Sequence, residues 1–444
     1  MTTPVLMMAS IAAGPSTSAA SYATLTNGYG IGGTPWSTNA GARTQVIATA
    51  GTIANLSVAY QTALLQGTYS IVVYKNGSQT ALGGTSCASN AGNPTYCSCI
   101  ITTSSATCSD SSHSLTVAAG DTINVASIPN GTPTTESSTQ QISLAFTSTV
   151  GQESPLFFSQ ISAPSTSANN WGGFGGAGGW LATNDTIVSN VMPTGGTIDH
   201  LYVSLFGNPG TSKSYAAVVY KNGSPTVIGG GAVPATCVSA PTAISCSCFI
   251  TGAALTCNDT TSAAVTFAAG DTISLAMIPT GTPSSNAVTT AAVRWIPTTT
   301  NQALLFNNAA TMPSVSATDY ENVNGVGSNN GTELNQLNIA PVLATTMTIG
   351  NFICAQSTSP GSTYTRTNTL RGSATTTLAS QTPVCQISNS TTMTIGGAAS
   401  TPANQDTTHT YQPTSGYYLD VMTVPSTTLP GLTWWKTGMT VTVP

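Results

Sequence analysis

The stretch HSLTVAAGDTINVASIPNGTP at residues 113–133 decides the fold, because it recurs as AVTFAAGDTISLAMIPTGTP at residues 264–283. In both stretches, apolar residues alternate with polar ones on either side of the turn sequence AAGD. Side chains along a β-strand point alternately to opposite faces, so this pattern is typical of two strands joined by a turn. The pair of stretches predicts an antiparallel β-structure that the chain contains more than once.

Other blocks repeat on either side of this one. A proline turn occurs at Pro15, Pro164 and Pro313, and each proline is 149 residues from the next. The segment YSIVVYKNGS at residues 69–78 recurs as YAAVVYKNGS at residues 215–224. Both segments contain Asn-Gly between strand residues, which favours the type I′ turn of a β-hairpin because both residues tolerate a positive φ.

A third copy of the repeat is present in a diverged form. GTIANLSVAY at residues 51–60 and GTIDHLYVSL at residues 196–205 have a weaker counterpart in MTIGNFICAQ at residues 347–356. YTRTNTLRGS at residues 364–373 aligns with the YSIVVYKNGS block through its tyrosine and its Gly-Ser. HTYQPTSGYYLDVMTVPSTTLP at residues 409–430 keeps the histidine, glycine and proline of the opening stretch. The chain is therefore a triplication.

The length of the repeat predicts domains of one fold class. A period near 149 residues exceeds a solenoid unit of roughly 20–50 residues and matches the size of one domain. Short strands with frequent turns, and no amphipathic helix pattern, predict an all-β protein of three tandem antiparallel β-sandwich domains, with jelly-roll topology favoured. The predicted organisation is an N-terminal arm at residues 1–13 and repeats at residues 14–150, 151–300 and 301–444, the last one diverged.

The first residues, MTTPVLMMASIAAG, contain a short apolar run. A secretory signal has a basic leader, and the first basic residue of this chain is Arg43. We interpret the segment as an arm or a first strand, with a cleaved signal as the alternative. No stretch reaches the ~18 apolar residues of a membrane helix, so we expect no membrane partner.

Charged residues are scarce and exclude several classes of protein. The 444 residues include 8 Lys+Arg and 13 Asp+Glu, or 5% charged residues, where an ordinary domain has about 25%. A net charge of -5 excludes a nucleic-acid binder, which needs a basic surface. A hydrophobic content of 40% excludes charge-driven disorder. With so few carboxylates, we expect stability to vary little across the mildly acidic range.

Ten cysteines fall mainly in the first two repeats. The two Cys-Ser-Cys segments place both sulfurs on one face of a strand. The spacing from Cys99 to Cys108 equals that from Cys248 to Cys257 and suits a hairpin that brings each pair together. The remaining candidate disulfides are Cys87 with Cys97, Cys237 with Cys246, and Cys354 with Cys385.

Two other interpretations of the cysteines stay open. Four thiolates in a repeat could bind a structural zinc ion, although zinc sites use Cys-x₂₋₄-Cys rather than Cys-x-Cys. Reduced cysteines packed in the cores are the second alternative. Disulfides would indicate an environment that becomes oxidising, or an unusually hot one. We expect no metal and no cofactor.

The sequence contains no catalytic signature. His113 and His409 are equivalent, each three residues after an aspartate, and the second repeat has Ala263 or Ala264 there. Such a pair could orient an imidazole or bind a metal, but we interpret both as loop histidines with local hydrogen bonds. Asp199-His200 lies in a strand, so its side chains are expected on opposite faces. No Gly-x-Ser-x-Gly elbow is present, and we predict no catalytic residues.

Four tryptophans are the candidate binding side chains. Trp171 and Trp180 bound the glycine-rich segment WGGFGGAGGW, and Trp434 and Trp435 lie near the C-terminus. Aromatic rings of this kind can stack on sugars or anchor an interface. The sequence leaves both roles open, with the interface role favoured.

Three segments of the first repeat carry a resemblance to a known class of proteins. They are VVYKNGS at residues 72–78, CSCIITTSSATC at residues 97–108 and SLTVAAGDTINV at residues 114–125. With their second-repeat counterparts, they resemble jelly-roll modules of tailed-phage surface structural proteins, the class of capsid decoration proteins and head or tail fibres. The resemblance implies a location on the virion surface, capsid or tail partners, oligomers that are often threefold, and no enzymatic activity.

We therefore predict a non-enzymatic structural protein of a virus or phage particle, on the virion surface and extracellular after release. It is expected to be a homo-oligomer, in particular a trimer, or a monomer whose repeats pack about a pseudo-threefold axis. An elongated rod of repeats is the other arrangement. The alternative functions are an adhesin for a receptor or a host surface glycan, and a subunit of an extracellular filament or surface layer.

Overall fold

The structure is a computed structural model that describes residues 4–11, 14–25, 36–60, 62–79, 98–134, 140–160, 162–175, 180, 185–226, 248–260, 264–284, 289–308, 313–323, 345–361, 363–374 and 379–442. Within these ranges the regular structure is almost entirely β-strand, with one four-residue α-helix and one short 3-10 helix. The strand pairs are antiparallel in all six sheets. The predicted all-β class with antiparallel sandwiches is confirmed.

The first unit consists of the strands between residues 5 and 148. These are β1 (Val5–Ile11), β2 (Ser21–Ala23), β3 (Gln45–Val46), β4 (Gly51–Tyr60), β5 (Thr68–Lys75), β6 (Ser78–Gln79), β7 (Cys99–Ile101), β8 (Thr107–Val117), β9 (Thr122–Asn130) and β10 (Gln140–Ser148), with a 3-10 helix at Ala40–Arg43. One sheet has the order β1-β10-β4-β8. The other has the order β2-β9-β5-β6, with β3 on β9 and β7 on β5. The N-terminal segment thus supplies a strand of the first sheet.

The second unit repeats this arrangement between residues 154 and 297. Its elements are β11 (Ser154–Ser159), β12 (Asn170–Gly172), α1 (Asp185–Val188), β13 (Asn190–Val191), β14 (Gly196–Leu205), β15 (Gly210–Lys221), β16 (Ser224–Pro225), β17 (Cys248–Gly252), β18 (Thr256–Asp259), β19 (Val265–Phe267), β20 (Thr272–Thr280) and β21 (Thr289–Pro297). The sheet orders are β11-β21-β14-β18, with β19 on β14, and β12-β20-β15-β16, with β13 on β20 and β17 on β15.

The third unit has the same layout between residues 303 and 442. Its strands are β22 (Ala303–Asn308), β23 (Asp319–Asn322), β24 (Thr348–Gln356), β25 (Thr365–Ser373), β26 (Ala379–Ser388), β27 (Thr392–Ile395), β28 (Ala398–Asp406), β29 (Tyr418–Pro425) and β30 (Trp435–Thr442). The sheet orders are β22-β30-β24-β28-β27 and β23-β29-β25-β26.

The connectivity in each unit is that of a jelly roll. In each unit the first strand pairs with the last one, and the chain crosses from one sheet to the other after most of its long strands, with exceptions such as the hairpin β25–β26. The two sheets of a unit share a core: Leu156 and Val203 of one sheet belong to the same buried cluster as Val219 and Leu275 of the other. Each unit is therefore a two-layer sandwich.

The hairpins predicted at Asn-Gly are confirmed. Asn76 and Gly77 have φ of 52° and 75°, and Asn222 and Gly223 have 52° and 76°, as a type I′ turn requires. Each hairpin is joined to the Gly-Asp turn of its unit by an ion pair, Lys75–Asp121 at 2.8 Å and Lys221–Asp271 at 3.0 Å.

The third unit keeps the fold with a changed core. In the first two units, Gly51 and Gly196 begin the central strand, and Gly196 lies directly against the ring of Trp295, so that a Cβ would overlap it. In the third unit Met347 replaces the glycine and Val441 occupies the position of Trp295. A larger residue on one strand is thus offset by a smaller one on its neighbour, which preserves the packing volume.

Strand pairing corrects one alignment made from the sequence. Tyr69 lies opposite Pro129, and in the third unit Arg366, rather than Tyr364, lies opposite Pro425. The tyrosine hydroxyl donates to the carbonyl of the first proline turn at 3.3 Å, and the Arg366 Nη1 donates to the equivalent turn at 3.1 Å. The sequence match failed because the shared tyrosine lies two residues before the position that performs this role.

Candidate functional site

Three disulfides join strands within the units. Cys99–Cys108 joins β7 to β8 and Cys248–Cys257 joins β17 to β18, with Cα atoms 5.7 Å apart. The strands of each pair follow each other in the chain but belong to different sheets, so they do not form the β-hairpin expected from the spacing. In the third unit Cys354–Cys385 joins β24 to β26, across the two sheets. The disulfides indicate an oxidising, extracellular or secreted environment, and these six sulfurs are not free to bind zinc. Cys87, Cys97, Cys237 and Cys246 lie outside the described residues.

The tryptophans do not form one platform. Trp171 packs edge-to-face on Tyr220, with centroids 6.0 Å apart, on the outer face of its sheet. Trp180 packs against a core phenylalanine and donates from Nε1 to the Ser162 carbonyl. Trp435 is fully buried and donates to a core asparagine, so its predicted place in a surface site is wrong.

Trp434 lies where the second and third units meet. It packs on a buried apolar cluster that contains Val191 of the second unit and Ile353 of the third. Its ring also lies 4.8 Å from the Nζ of Lys436. The interface role that the sequence favoured fits this residue, and the interface is one between units of the same chain.

The three histidines lie at the same irregularity of the three units. There the central strand contains a residue with positive φ, which is His200 in the second unit, and the register of the sheet shifts. Because of this backbone turn, Asp199 and His200 do not point to opposite faces, contrary to the expectation from alternation. The Nδ1–carboxylate distances are 3.0 Å for His113–Asp110, 2.9 Å for His200–Asp199 and 3.0 Å for His409–Asp406.

These pairs have structural rather than catalytic geometry. At His113 the Asp110 carboxylate and the Ser112 hydroxyl both face Nδ1, whereas a Ser-His-Asp triad uses opposite ring nitrogens. Burial acts to raise the pKa of Asp406, but N–H groups of His409 and nearby residues lower it to about 2. The ionised carboxylate holds the loop, as the sequence interpretation of these histidines expects.

The first and second units are joined by a charged network. The Arg294 guanidinium donates to both oxygens of Asp199 at 2.6 Å and to Glu153 at 2.8 Å. Glu153 in turn accepts from the hydroxyl of Thr49 in the first unit at 2.6 Å. Gln45 of the first unit also donates to a backbone carbonyl of β21. This network positions the edge strand β3 on the outer face of the β11-β21-β14 sheet.

The second and third units meet through the equivalent elements. Strand β13, the counterpart of β3, contacts the outer face of β22 and β30. The buried Nζ of Lys436 donates to the Ser189 hydroxyl at 2.7 Å, and Gln405 donates to the Pro193 carbonyl at 2.8 Å. Burial lowers the pKa of Lys436 to about 7, and the negative charge of Asp185 opposes this shift. The two junctions thus share geometry and differ in chemistry.

The core of the third unit contains an acidic side chain without a partner. Glu321 lies opposite Val421, at the position of Ala23 in the first unit and Gly172 in the second. It is fully buried, and neither carboxylate oxygen has a hydrogen bond. Burial raises its pKa well above the usual value, and the nearby carboxylates of Asp319 and Asp420 raise it further. The sequence gives no sign that this residue is buried.

The outer face of the same sheet contains a buried ion pair. Arg371 makes a bidentate contact with Asp420, and its guanidinium lies 4.2 Å from the Tyr320 ring centroid. Burial raises the pKa of Asp420 to about 6 in spite of the arginine. Burial and the arginine therefore act on the pKa of this carboxyl group in opposite directions, and burial has the larger effect.

Exposed apolar side chains collect at one end of the units. Of the six large ones in the described part of the chain, four lie near the end where β4, β14 and β24 finish. Val150 lies at the opposite end of the first unit, beside the start of β4. The four side chains at the first end are those of Leu65, Phe206, Leu255 and Tyr364. No sequence pattern singled them out, although each is a large apolar residue in a loop.

Two comparisons of the sequence with known proteins gave no match. Neither a scan against protein-family models nor a search of curated proteins found a match for this chain. Among the described residues, no group of three His, Cys, Asp or Glu side chains is arranged to hold a metal ion. The helical segments in the described ranges include none with the length and apolar character of a membrane span.

Replacing Arg294 tests the first junction. We expect Arg294→Met to lower the free energy of unfolding by about 2–3 kcal/mol, because it removes the cation that Asp199 and Glu153 share at a largely buried site. Guanidinium unfolding measures the change. Lys75→Met is the matched control: its ion pair is more exposed, and we expect a loss below about 1 kcal/mol. Equal losses for the two variants would contradict the assigned role of Arg294.

Replacing Glu321 tests the pH dependence of stability. A raised folded-state pKa means that stability is lost as pH rises above the unfolded value near 4.5. We expect Glu321→Gln to raise the Tm by roughly 5–10 °C at pH 7.5, since an unpaired buried carboxylate costs several kcal/mol. The gain should shrink to near zero at pH 4.5. A gain of the same size at both pH values would show that ionisation is not its cause.

Proposed function

We propose that this chain is a non-enzymatic structural protein of the surface of a virus or phage particle, as a capsid decoration or fibre component. The observation that carries the proposal is the repeated junction between jelly-roll units. In both junctions a short edge strand of one unit, β3 or β13, packs on the outer face of a sheet of the next unit, and hydrogen bonds cross each contact. Such packing makes a rigid body from several units, which is what a particle surface requires.

The use of charge supports the same function. The eight Lys and Arg residues all lie in the described ranges. Four of them form ion pairs with carboxylates, and three others are buried. Little charge is left to attract a charged substrate or a nucleic acid by long-range fields. A neutral surface of this kind suits a coat component, and it leaves short-range contacts as the means of attachment.

We assign attachment to the end of the units where the exposed apolar side chains collect, which we call the apolar loop end. Each unit contributes at least one exposed side chain: Leu65 in the first, Leu255 in the second and Tyr364 in the third. Phe206 also lies there but packs partly on Gly41 of the first unit. Exposed apolar residues grouped in this way are typical of protein contact sites. The partner under this proposal is a capsid or tail protein.

A reconstitution experiment tests the proposal. Particles are produced from the genome that encodes this chain with its gene deleted, and the purified chain is added back. We expect saturable co-sedimentation of the wild-type chain with the particles. The variant Leu65→Ser/Leu255→Ser/Tyr364→Ser should bind at least ten-fold more weakly with an unchanged Tm, because its substitutions are at exposed positions.

Val150→Ser is the matched control, since it removes an exposed apolar side chain from the opposite end. It should bind like the wild type. A wild-type chain that does not sediment with the particles, and is absent from purified complete particles by mass spectrometry, would contradict the virion role. Binding that the triple variant retains would instead contradict only the choice of surface.

A further inference from the structure

The first unit has an outer sheet face that is as buried as those at the two junctions. Leu6 and Met8 are 2% and 1% exposed, and their cross-strand neighbours Ala145 and Ser143 are buried as well. The intervening residue Met7 is also fully buried. Strand β1 is therefore covered on both faces, although one face of a two-layer sandwich normally meets solvent.

The second unit shows which face of this strand is the outer one. Leu156 and Phe158 belong to the core of the second unit. Phe157, which lies between them, belongs to the buried cluster of the first unit. Met8 is its counterpart by the spacing of the proline turns, so Met8 also points away from its own core. The cover on Met8 has to come from another part of the chain.

The first strand of the third unit is also covered on its outer face by the preceding unit. Leu304 and Phe306 of β22 belong to the buried cluster of the second unit, while Ala303 and Leu305 belong to their own core. In both junctions, the alternate side chains of the first strand are covered by the preceding unit. The first unit has no preceding unit within the described chain, yet its first strand is equally buried.

Buried apolar side chains of the first and third units belong to the same cluster. One continuous cluster of buried side chains contains Leu6 and Met8 together with Met347, Ile349 and Phe352 of the third unit. Contacts of one type that join a head to a tail give either an open filament or a closed ring. A continuous core between the first and last units is the property of the ring.

We infer that the third unit packs on the outer face of the first unit's β1-β10-β4 sheet, so that the three units close into a ring about a pseudo-threefold axis. The partner of this surface is the chain's own third unit. A single chain then has the architecture that a homotrimer of one unit would have, with three junctions that can differ in sequence. The inference does not depend on the virion role, because it concerns only contacts within the chain.

Distances between equivalent loop tips test the closure. Spin labels on non-canonical amino acids are placed in pairs at Ser104, Ala253 and Ser390, which are exposed and follow equivalent strands. The full chain is used, diluted with unlabelled protein, and the native disulfides stay intact. A ring gives three similar distances. A 104–390 distance close to the sum of the other two indicates a rod and overturns the inference.

Substitutions give an independent test of the covered face. We expect Met8→Asp to lower the Tm by as much as Phe157→Asp does, because each places a charge in the junction of two units. Val150→Asp, at an exposed site, should leave the Tm within about 2 °C of the wild type. A Met8→Asp variant as stable as Val150→Asp would overturn the inference, whatever the label distances.

Discussion

The structure depends on one constraint: the first strand of each unit has to be buried on both faces. In β11, Leu156 and Phe158 face the core of their own unit and Phe157 faces a neighbour. Each such side chain contributes roughly 1.5–3 kcal/mol when it is removed from water, so an isolated unit would expose a strongly apolar sheet. The units are therefore not independent beads on a linker. Each one completes the fold of the next, and the junctions belong to the cores.

Apolar burial alone does not determine which unit meets which, because the three sheets offer similar surfaces. The polar groups at the junctions differ. Arg294 with its two carboxylates is present only between the first and second units, among the described residues, and the buried Lys436 only between the second and third. A buried charge without its partner costs several kcal/mol, so an exchange of units would be penalised. Repeats that began as copies have in this way acquired a fixed order.

Much of the fold could be predicted from local patterns, because hairpins and strand alternation depend on neighbouring residues. The turn at Asn76 and the disulfides Cys99–Cys108 and Cys248–Cys257 are examples. Other features depend on distant segments. Burial on both faces appears in the sequence only as the apolar runs VLMM and PLFF, which do not show what covers them. Glu321 and Trp435 look like surface residues until the opposite strands are known, so the candidate site was only partly predictable.

The scarcity of charge also has a structural explanation. A chain of this composition has few ions to distribute, and the fold uses nearly all of its cations internally: at the hairpin turns, at the junctions and in the third unit, where Arg366 performs the role of a buried tyrosine. Contacts with a partner then depend on apolar side chains and hydrogen bonds, whose strength changes little with salt. The same internal use of charge places two carboxyl groups of the third unit, those of Glu321 and Asp420, in buried positions that raise their pKa, so the stability of this unit depends on pH. Its divergence from the other repeats therefore has a physical consequence even though its fold is unchanged.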